Sequence, residues 1–311
     1  MAEQMAGARH TRPLNELRAA DAAAFGGKSA SLGELIGAGF PVPPGFAIST
    51  DAGERMSDEL RDEIAACCAE LAGDQGEGPL AVRSSALGED SAEATFAGQQ
   101  DTFLWVRGVA GVCDAVQRCW ASLHSAGAVA YREHLGGAAA ASPAMGVTVQ
   151  AMIDAAVAGV MFTCNPVTGD PSMIAINASW GLGLAVVGGE VTPDDHLISK
   201  VTGEVVRETI ADKEIEYVPD PAGSGTVRRD VEPDRRTARC LDTEALRELV
   251  ALGRRIERHF GAPQDVEWAI DRSGRLFVLQ SRPVTGLPDR APAPSTASAM
   301  SLVMKTFGAG G

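Results

Sequence analysis

Hydrophobic and polar positions along the chain follow two rhythms. Apolar residues recur every three or four positions in several segments, the period of a helix with one buried face. Leu32, Leu35 and Ile36 follow the stretch Phe25-Gly-Gly-Lys28, and Met56, Leu60, Ile64, Cys68 and Leu71 mark a helix over residues 51–73. Val112, Val116, Trp120, Leu123 and Val129 predict another over 109–135. The clearest runs from Asp242 to Phe260, with Leu246, Leu249, Val250, Leu252 and Ile256 on one side and Gly261 and Pro263 beyond its end, residues that stop a helix. Pro13 to Ala24 is Ala-rich and predicts partial helix.

Between these, short apolar or alternating runs predict strands. They are Phe46–Ile48, Leu80–Val82, Phe103–Val106, Gly146–Ile153, Ala158–Thr163 and Met173–Ser179. Two hairpins follow, one pairing His196–Lys200 with Glu204–Ile210 and one pairing Gln264–Ile270 with Arg275–Arg282. Residues 212–238 are polar, charged and broken by Pro and Gly, and read as an excursion or exposed loop. Residues 1–11 read as a disordered leader, 12–286 as one domain, and 287–311 as a Pro/Ala-rich linker or tail.

Composition narrows the class. Of the 311 residues, 45% are hydrophobic and only 5% aromatic, which allows a sizeable core built from helices and small-residue loops. The formal net charge of −14 argues against nonspecific nucleic-acid binding and makes single Lys and Arg residues informative. None of the six cysteines sits in a Cys-x-x-Cys pair, so a zinc site is not expected. Cys164, inside a turn-forming cluster, reads as a small buried filler. With no signal peptide or membrane-length apolar run, the expected location is the cytoplasm, with reduced thiols and no membrane partner.

Three places offer chemistry. Arg83 leaves the apolar run Leu80-Ala-Val82, is followed by Ser84 and Ser85, and precedes a small-residue loop containing Gly98 that leads to Thr102. A guanidinium fork and close-approaching backbone suit phosphate oxygens, although the same residues also fit a surface salt bridge beside a flexible loop. Lys28, preceded by two glycines at a helix start, lies where anions are favoured, without the spacing of a P-loop. In the last hairpin, alternation puts Asp265, Glu267 and Ala269 on one face, and Gln280 and Arg282 on one face of the partner strand with Leu279 and Ser281 opposite. Glu267 and Gln280 could then offer two oxygens to a hard cation such as Mg²⁺. The alternative is an exposed amphipathic hairpin with a Glu–Arg pair.

Taken in order, these stretches resemble the nucleotide-binding domain of the phosphoenolpyruvate synthase, pyruvate phosphate dikinase and rifampicin phosphotransferase family. The resemblance rests on Gly26-Gly-Lys-Ser-Ala-Ser-Leu-Gly-Glu34, Val42-Pro-Pro-Gly-Phe46, Ala81-Val-Arg-Ser-Ser-Ala86, Phe96-Ala-Gly-Gln-Gln-Asp-Thr-Phe103, Gly159-Val-Met-Phe-Thr163, Asn165-Pro-Val-Thr-Gly169, Ala178-Ser-Trp-Gly-Leu-Gly183, Asp265-Val-Glu-Trp268 and Leu279-Gln-Ser-Arg-Pro283. It implies an α+β, ATP-grasp-like fold whose lobes close on Mg-ATP. It also implies that Lys28 and Arg83 bind phosphates, that Thr102 touches the phosphate end, and that Gln150 and the backbone near Met152 lie along the adenine. Glu267 and Gln280 would bind the metal with Asp265 near it, and Arg282 would hold the terminal phosphates; Lys28, Arg83 and Arg282 are the implied catalytic set.

Two departures stand out. Leu184 occupies the position after Gly-Leu-Gly where the family usually has Glu, and the phosphorylated His motif of the family's swivelling domain is absent from His10, His124, His134, His196 and His259. His196 reads as a strand-start residue. The expected function is therefore the ATP-using part of a dikinase-type phosphotransferase, acting with a separate or removed swivelling phospho-His domain and releasing AMP and phosphate. A self-sufficient small-molecule kinase or ATP-grasp ligase is the alternative, and a non-catalytic nucleotide-binding module a second one.

Overall fold

The computed structural model describes residues 9–73, 78–86, 102–124 and 144–287. The loop that leads to Thr102, the second half of the helix predicted over 109–135, the Ala-rich stretch before Pro143 and the tail beyond 287 lie outside the described residues.

Two antiparallel sheets organise the chain. The first holds β1 (Thr11–Pro13), β2 (Gly45–Ile48), β3 (Leu80–Ala86), β4 (Thr102–Val106) and β5 (Met145–Ala151), in the order β1-β2-β5-β3-β4. Thr11, placed in the leader by composition, is instead buried and opens β1, where Glu63 accepts from both its backbone N–H and its hydroxyl. The partial helix expected from Pro13 to Ala24 is two 3-10 turns and the four-residue α1 (Ala22–Phe25). It is followed by α2 (Gly27–Gly37), α3 (Asp58–Ala72) and α4 (Gly108–Ser122). Ser57 caps α3 by accepting from Leu60 N–H at 3.1 Å, which starts the helix seven residues later than the apolar spacing suggests and leaves Met56 packed just ahead of it. Leu60 and Ile64 of α3 and Val112, Val116 and Trp120 of α4 cover one face of the sheet, against Phe46, Val82, Val147 and Val149.

The second sheet begins with β6 (Ala155–Phe162), β7 (Met173–Trp180), β8 (Asp194–Ser199) and β9 (Val205–Thr209); a separate pair, β10 (Ile215–Pro219) and β11 (Thr226–Asp230), comes next; and β12 (Gln264–Asp271) and β13 (Leu276–Pro283) complete the sheet in the order β13-β12-β6-β7-β8-β9. The short α5 (Leu184–Val187) follows β7, α6 (Pro233–Arg236) follows β11, and α7 (Thr243–Phe260) covers the sheet. Asp242 caps α7 through Ala245 N–H, and Gly261 ends it in the left-handed region at φ 71°. Its Leu249, Val250 and Ile256 pack on Met161, Ile174, Val266, Trp268 and Val278. Each sheet thus has one face under helices, and the other faces look towards each other.

Of the excursion or exposed loop expected over 212–238, the exposed loop is corrected. Those residues fold into the β10–β11 hairpin and α6, with Ile215, Val218 and Val231 buried. What makes the segment read as polar is neutralised inside the fold. Buried Lys213 donates to buried Asp194 at 2.5 Å, and buried Glu216 accepts from Arg229 at 2.8 Å. All six cysteines are buried, Cys164 among them.

Candidate functional site

A cleft of about 540 Å³ opens between the two sheets, beside α2 and on the faces away from α3, α4 and α7, within the range of small-ligand sites. From the first sheet it is lined by Ala81 and Arg83 of β3, Thr102 and Leu104 of β4, and Gln150 of β5. Register explains the grouping: Arg83 lies opposite Thr102, and Ala81 opposite Gln150. Arg83 therefore sits in mid-strand, since β3 continues to Ala86, rather than at a strand end. From the second sheet the lining comes from Glu267 and Ala269 of β12 and Leu279, Gln280 and Arg282 of β13. Alternation holds on β12, where Val266 and Trp268 face the helix-covered core. On β13 it fails at one point. The register jumps from Glu267↔Gln280 to Trp268↔Val278, and this bulge turns Leu279 to the cleft side beside Gln280, a re-aiming that bulges commonly perform.

The cleft is polarised. At one end are Lys28, Arg83, Arg282, Glu267 and Gln280; at the other, Leu104, Met152, Ile153, Ala158, Leu182 and Leu279. Both sheets change from charged to apolar in the same direction, Arg83 to Ala81 on β3 and Glu267 to Ala269 on β12.

Lys28 reaches this end from the first turn of α2. It is buried, and its Nζ donates to Ser84 O at 3.0 Å. The close approach depends on Gly26, which has φ 82° and whose position would put a Cβ 2.2 Å from Ser85 O. Ser29 Oγ lies 2.7 Å from Thr148 Oγ1, and Ser31 Oγ donates to Ser281 O at 2.8 Å, so α2 is tied to both sheets. Arg83 bridges the cleft: Nη1 donates to Glu267 Oε2 at 3.1 Å, while Nε is a buried donor with no hydrogen-bond partner among the described residues. Arg282 Nε donates to Asp265 Oδ2 at 2.9 Å.

Most of the residues singled out from sequence come together here. Lys28, Arg83, Thr102, Gln150, Met152, Glu267, Gln280 and Arg282 line the cleft. Asp265 does not line it and reaches it through Arg282. Gln150 Nε2 donates to Pro43 O at 3.3 Å, and the backbone N–H of Met152 is taken by Pro79 O at 3.0 Å. His196 is elsewhere, buried on β8 with Nδ1 3.1 Å from Glu208 Oε1. Burial holds its pKa below the ordinary value, against the upward pull of Glu208 and Asp194.

Glu190 and Tyr217 also line the cleft and escape sequence reasoning. Tyr217 lies in the segment that reads as an exposed loop, and Glu190 in a Gly-rich turn with no periodicity. Leu184 lines the same wall and brings no polar atom to it.

The donor chemistry fits a hard divalent cation. Glu267 and Gln280 face each other across the β12–β13 register and offer carboxylate and amide oxygens. Among the described residues no group of three or more His, Cys, Asp or Glu side chains could hold a metal ion. A pair of protein oxygens supplemented by ligand oxygens and water is a magnesium-like shell rather than a protein cage. The Nε of Arg83 beside it, without a partner among the described residues, fits an anionic oxygen.

Comparison with known proteins agrees on one family. The family described as pyruvate phosphate dikinase, AMP/ATP-binding domain, matches residues 52–301. A probable phosphoenolpyruvate synthase of Methanothermobacter thermautotrophicus is 40% identical over 319 residues, covering 88% of this chain and 46% of that protein. A rifampicin phosphotransferase of a Streptomyces species is 39% identical over 313 residues, covering 88% and 36%. The chain thus spans less than half the length of these relatives. Among solved structures, the D-cycloserine synthetase DcsG overlays at a TM-score of 0.37 with 12% identity, covering 84% of this chain and 63% of that one. No helix among the described residues is long and apolar enough to cross a membrane.

Proposed function

Because the chain belongs to the pyruvate phosphate dikinase AMP/ATP-binding family, we propose that it is the Mg-ATP-using part of a dikinase-type phosphotransferase. The observation that carries this is the polarised cleft: three cationic side chains and a carboxylate–amide pair at one end, an apolar slot at the other. A nucleotide has the same polarity. Its base would occupy the slot beside Met152 and Gln150, with its phosphates among Lys28, Arg83, Thr102 and Arg282.

Glu267 and Gln280 would hold Mg²⁺, with Asp265 close by. Bound there, the metal supplies neutralisation of phosphate charge. Lys28, Arg83 and Arg282 aim donors at the phosphate oxygens before the reaction begins, which is where most phosphoryl-transfer catalysis originates. Arg83 is paired with Glu267 and Arg282 with Asp265. Phosphate oxygens would suit the same two arginines, and Glu267 with Asp265 beside it would then be available to hold the metal. The two terminal phosphoryl groups would pass together to a histidine on a swivelling domain, breaking the link between the α- and β-phosphates and releasing AMP; water would then cleave off the outer group as inorganic phosphate, and the phosphoryl group left on the histidine would go to an acceptor. The relatives carry names with different acceptors, so the acceptor is assigned outside this part.

Nucleotide chromatography tests the reading. The chain is incubated with Mg-ATP, alone and with a His-carrying swivelling domain of the same family. AMP that forms only with the second domain is the expected result. ADP formed with a small molecule and no second domain contradicts it.

A further inference from the structure

The β10–β11 hairpin has no part in the phosphate and metal chemistry above, yet it reaches the cleft. Tyr217 O accepts from Leu182 N–H at 3.0 Å, and at the hairpin's far end Gly225 N–H donates to Trp105 O of β4 at 3.0 Å. The hairpin is thereby attached to both sheets, and the buried Lys213–Asp194 pair anchors its base. The Tyr217 ring packs beside the apolar slot. Its hydroxyl points to Glu190, 3.1 Å from Oε1 and 3.0 Å from Oε2.

Among the described residues that line the cleft, Glu190 and Glu267 are the two carboxylates. Glu267 is neutralised by Arg83; Glu190 is instead held by a neutral phenol. No Lys or Arg among the described residues forms an ion pair with Glu190, the cation that acts on its phenol partner being Arg228, across the hairpin from Tyr217, so Glu190 suits a neutral, proton-donating part of the ligand better than a phosphate. One phenolic proton shared between two oxygens leaves acceptor capacity on the carboxylate. Glu190 is exposed at the rim, on the same wall as Leu182 of the apolar slot. A base seated in that slot, with phosphates at Arg83, leaves its sugar edge towards the rim.

We propose that Glu190, oriented by Tyr217, accepts hydrogen bonds from the ribose hydroxyls of the nucleotide and makes this cleft selective for ribonucleotides. Glu190 is the binding residue and Tyr217 a positioning residue. The inference rests on the Mg-ATP reading of the cleft. A charged acceptor is worth about tenfold or more in affinity when its donor is removed.

Calorimetric titration with ATP, 2′,3′-dideoxy-ATP and inosine triphosphate, each with Mg²⁺, tests it. Wild-type chain is expected to prefer ATP over the dideoxy analogue by about tenfold or more. Glu190→Ala loses ATP affinity to the level of the dideoxy analogue, whose own affinity is unchanged. Tyr217→Phe, which leaves the carboxylate in place, narrows the ratio in part. Equal wild-type affinity for ATP and the dideoxy analogue overturns the proposal while leaving the Mg-ATP reading intact. So does a Glu190→Ala effect confined to discrimination between ATP and inosine triphosphate, because the carboxylate would then read the base. Wild-type chain that binds none of the three overturns the Mg-ATP reading and the proposal with it.

Discussion

Lys28 owes its place to a residue that carries no chemistry. Gly26 has φ 82°, and a Cβ there would sit 2.2 Å from Ser85 O, so any side chain must push the start of α2 away from β3. Gly26→Ala is expected to cost more than about 1 kcal/mol of stability and to weaken ATP binding through displacement of Lys28. Denaturant unfolding checks the first effect, and unchanged stability would show that the approach is not tight. Lys28→Ala, by contrast, is expected to keep the fold and lower turnover by about a hundredfold or more, read from steady-state kinetics. His196 makes a different demand. Its pKa is lowered chiefly by burial, so as pH falls through about 6.5, the unfolded value, the unfolded chain takes up the proton first. Stability is therefore fully present above that pH and declines below it. Urea unfolding at about pH 7.5 and about pH 5.5 should show this decline in the wild type and a smaller one in His196→Gln; equal declines contradict it. The sequence made Lys28 noticeable through its two preceding glycines. It gave no sign that His196 would be buried against Glu208, because that contact joins two strands through the register of β8 with β9.

At the scale of elements, period and stop signals were legible and long-range partners were not. The helix over 243–260 has a narrow apolar face, an Asp cap and a Gly stop, and all three can be read locally. The bulge at Leu279 cannot, since it exists only in the pairing of β13 with β12; strict alternation therefore put Leu279 on the wrong face while placing Glu267 and Gln280 together. The β10–β11 hairpin was hidden for another reason. Lys213 is paired with Asp194 outside the segment, while Glu216 with Arg229 and Asp212 with Arg236 meet only once the segment has folded, and such pairing leaves no local pattern. Asp194 also accepts from Ala211 N–H at 3.0 Å and Cys240 N–H at 2.9 Å, gathering both ends of the segment on one carboxylate. Removing one partner strands a buried charge, so Asp194→Ala is expected to cost about 3–5 kcal/mol. The double variant Asp194→Ala/Lys213→Met should cost less than the sum of the singles. Additive costs in denaturant unfolding would mean that the pair is not coupled.

Over the whole molecule, two sheets each spend one face on a helical core and leave the other for a shared cleft. Arg83 from one and Glu267 from the other meet across it, while α2 is hydrogen-bonded to both. An acidic chain, with net charge −14, thereby gathers three cations at one end of a cleft, a local reversal of charge that draws in an anion carrying its own metal. The charge pattern was legible in the sequence as isolated Lys and Arg residues among small ones; their convergence needed the sheet order, which crosses from β2 to β5 before returning to β3. The measurement that tests this account most directly is calorimetric titration of ATP into the wild-type chain and Glu267→Gln, each with Mg²⁺ and with excess chelator. Saturable binding to the wild type is expected to weaken by about tenfold or more when the metal is removed, and Glu267→Gln is expected to lose most of this metal dependence. Wild-type and variant chains with the same affinity under both conditions would contradict it.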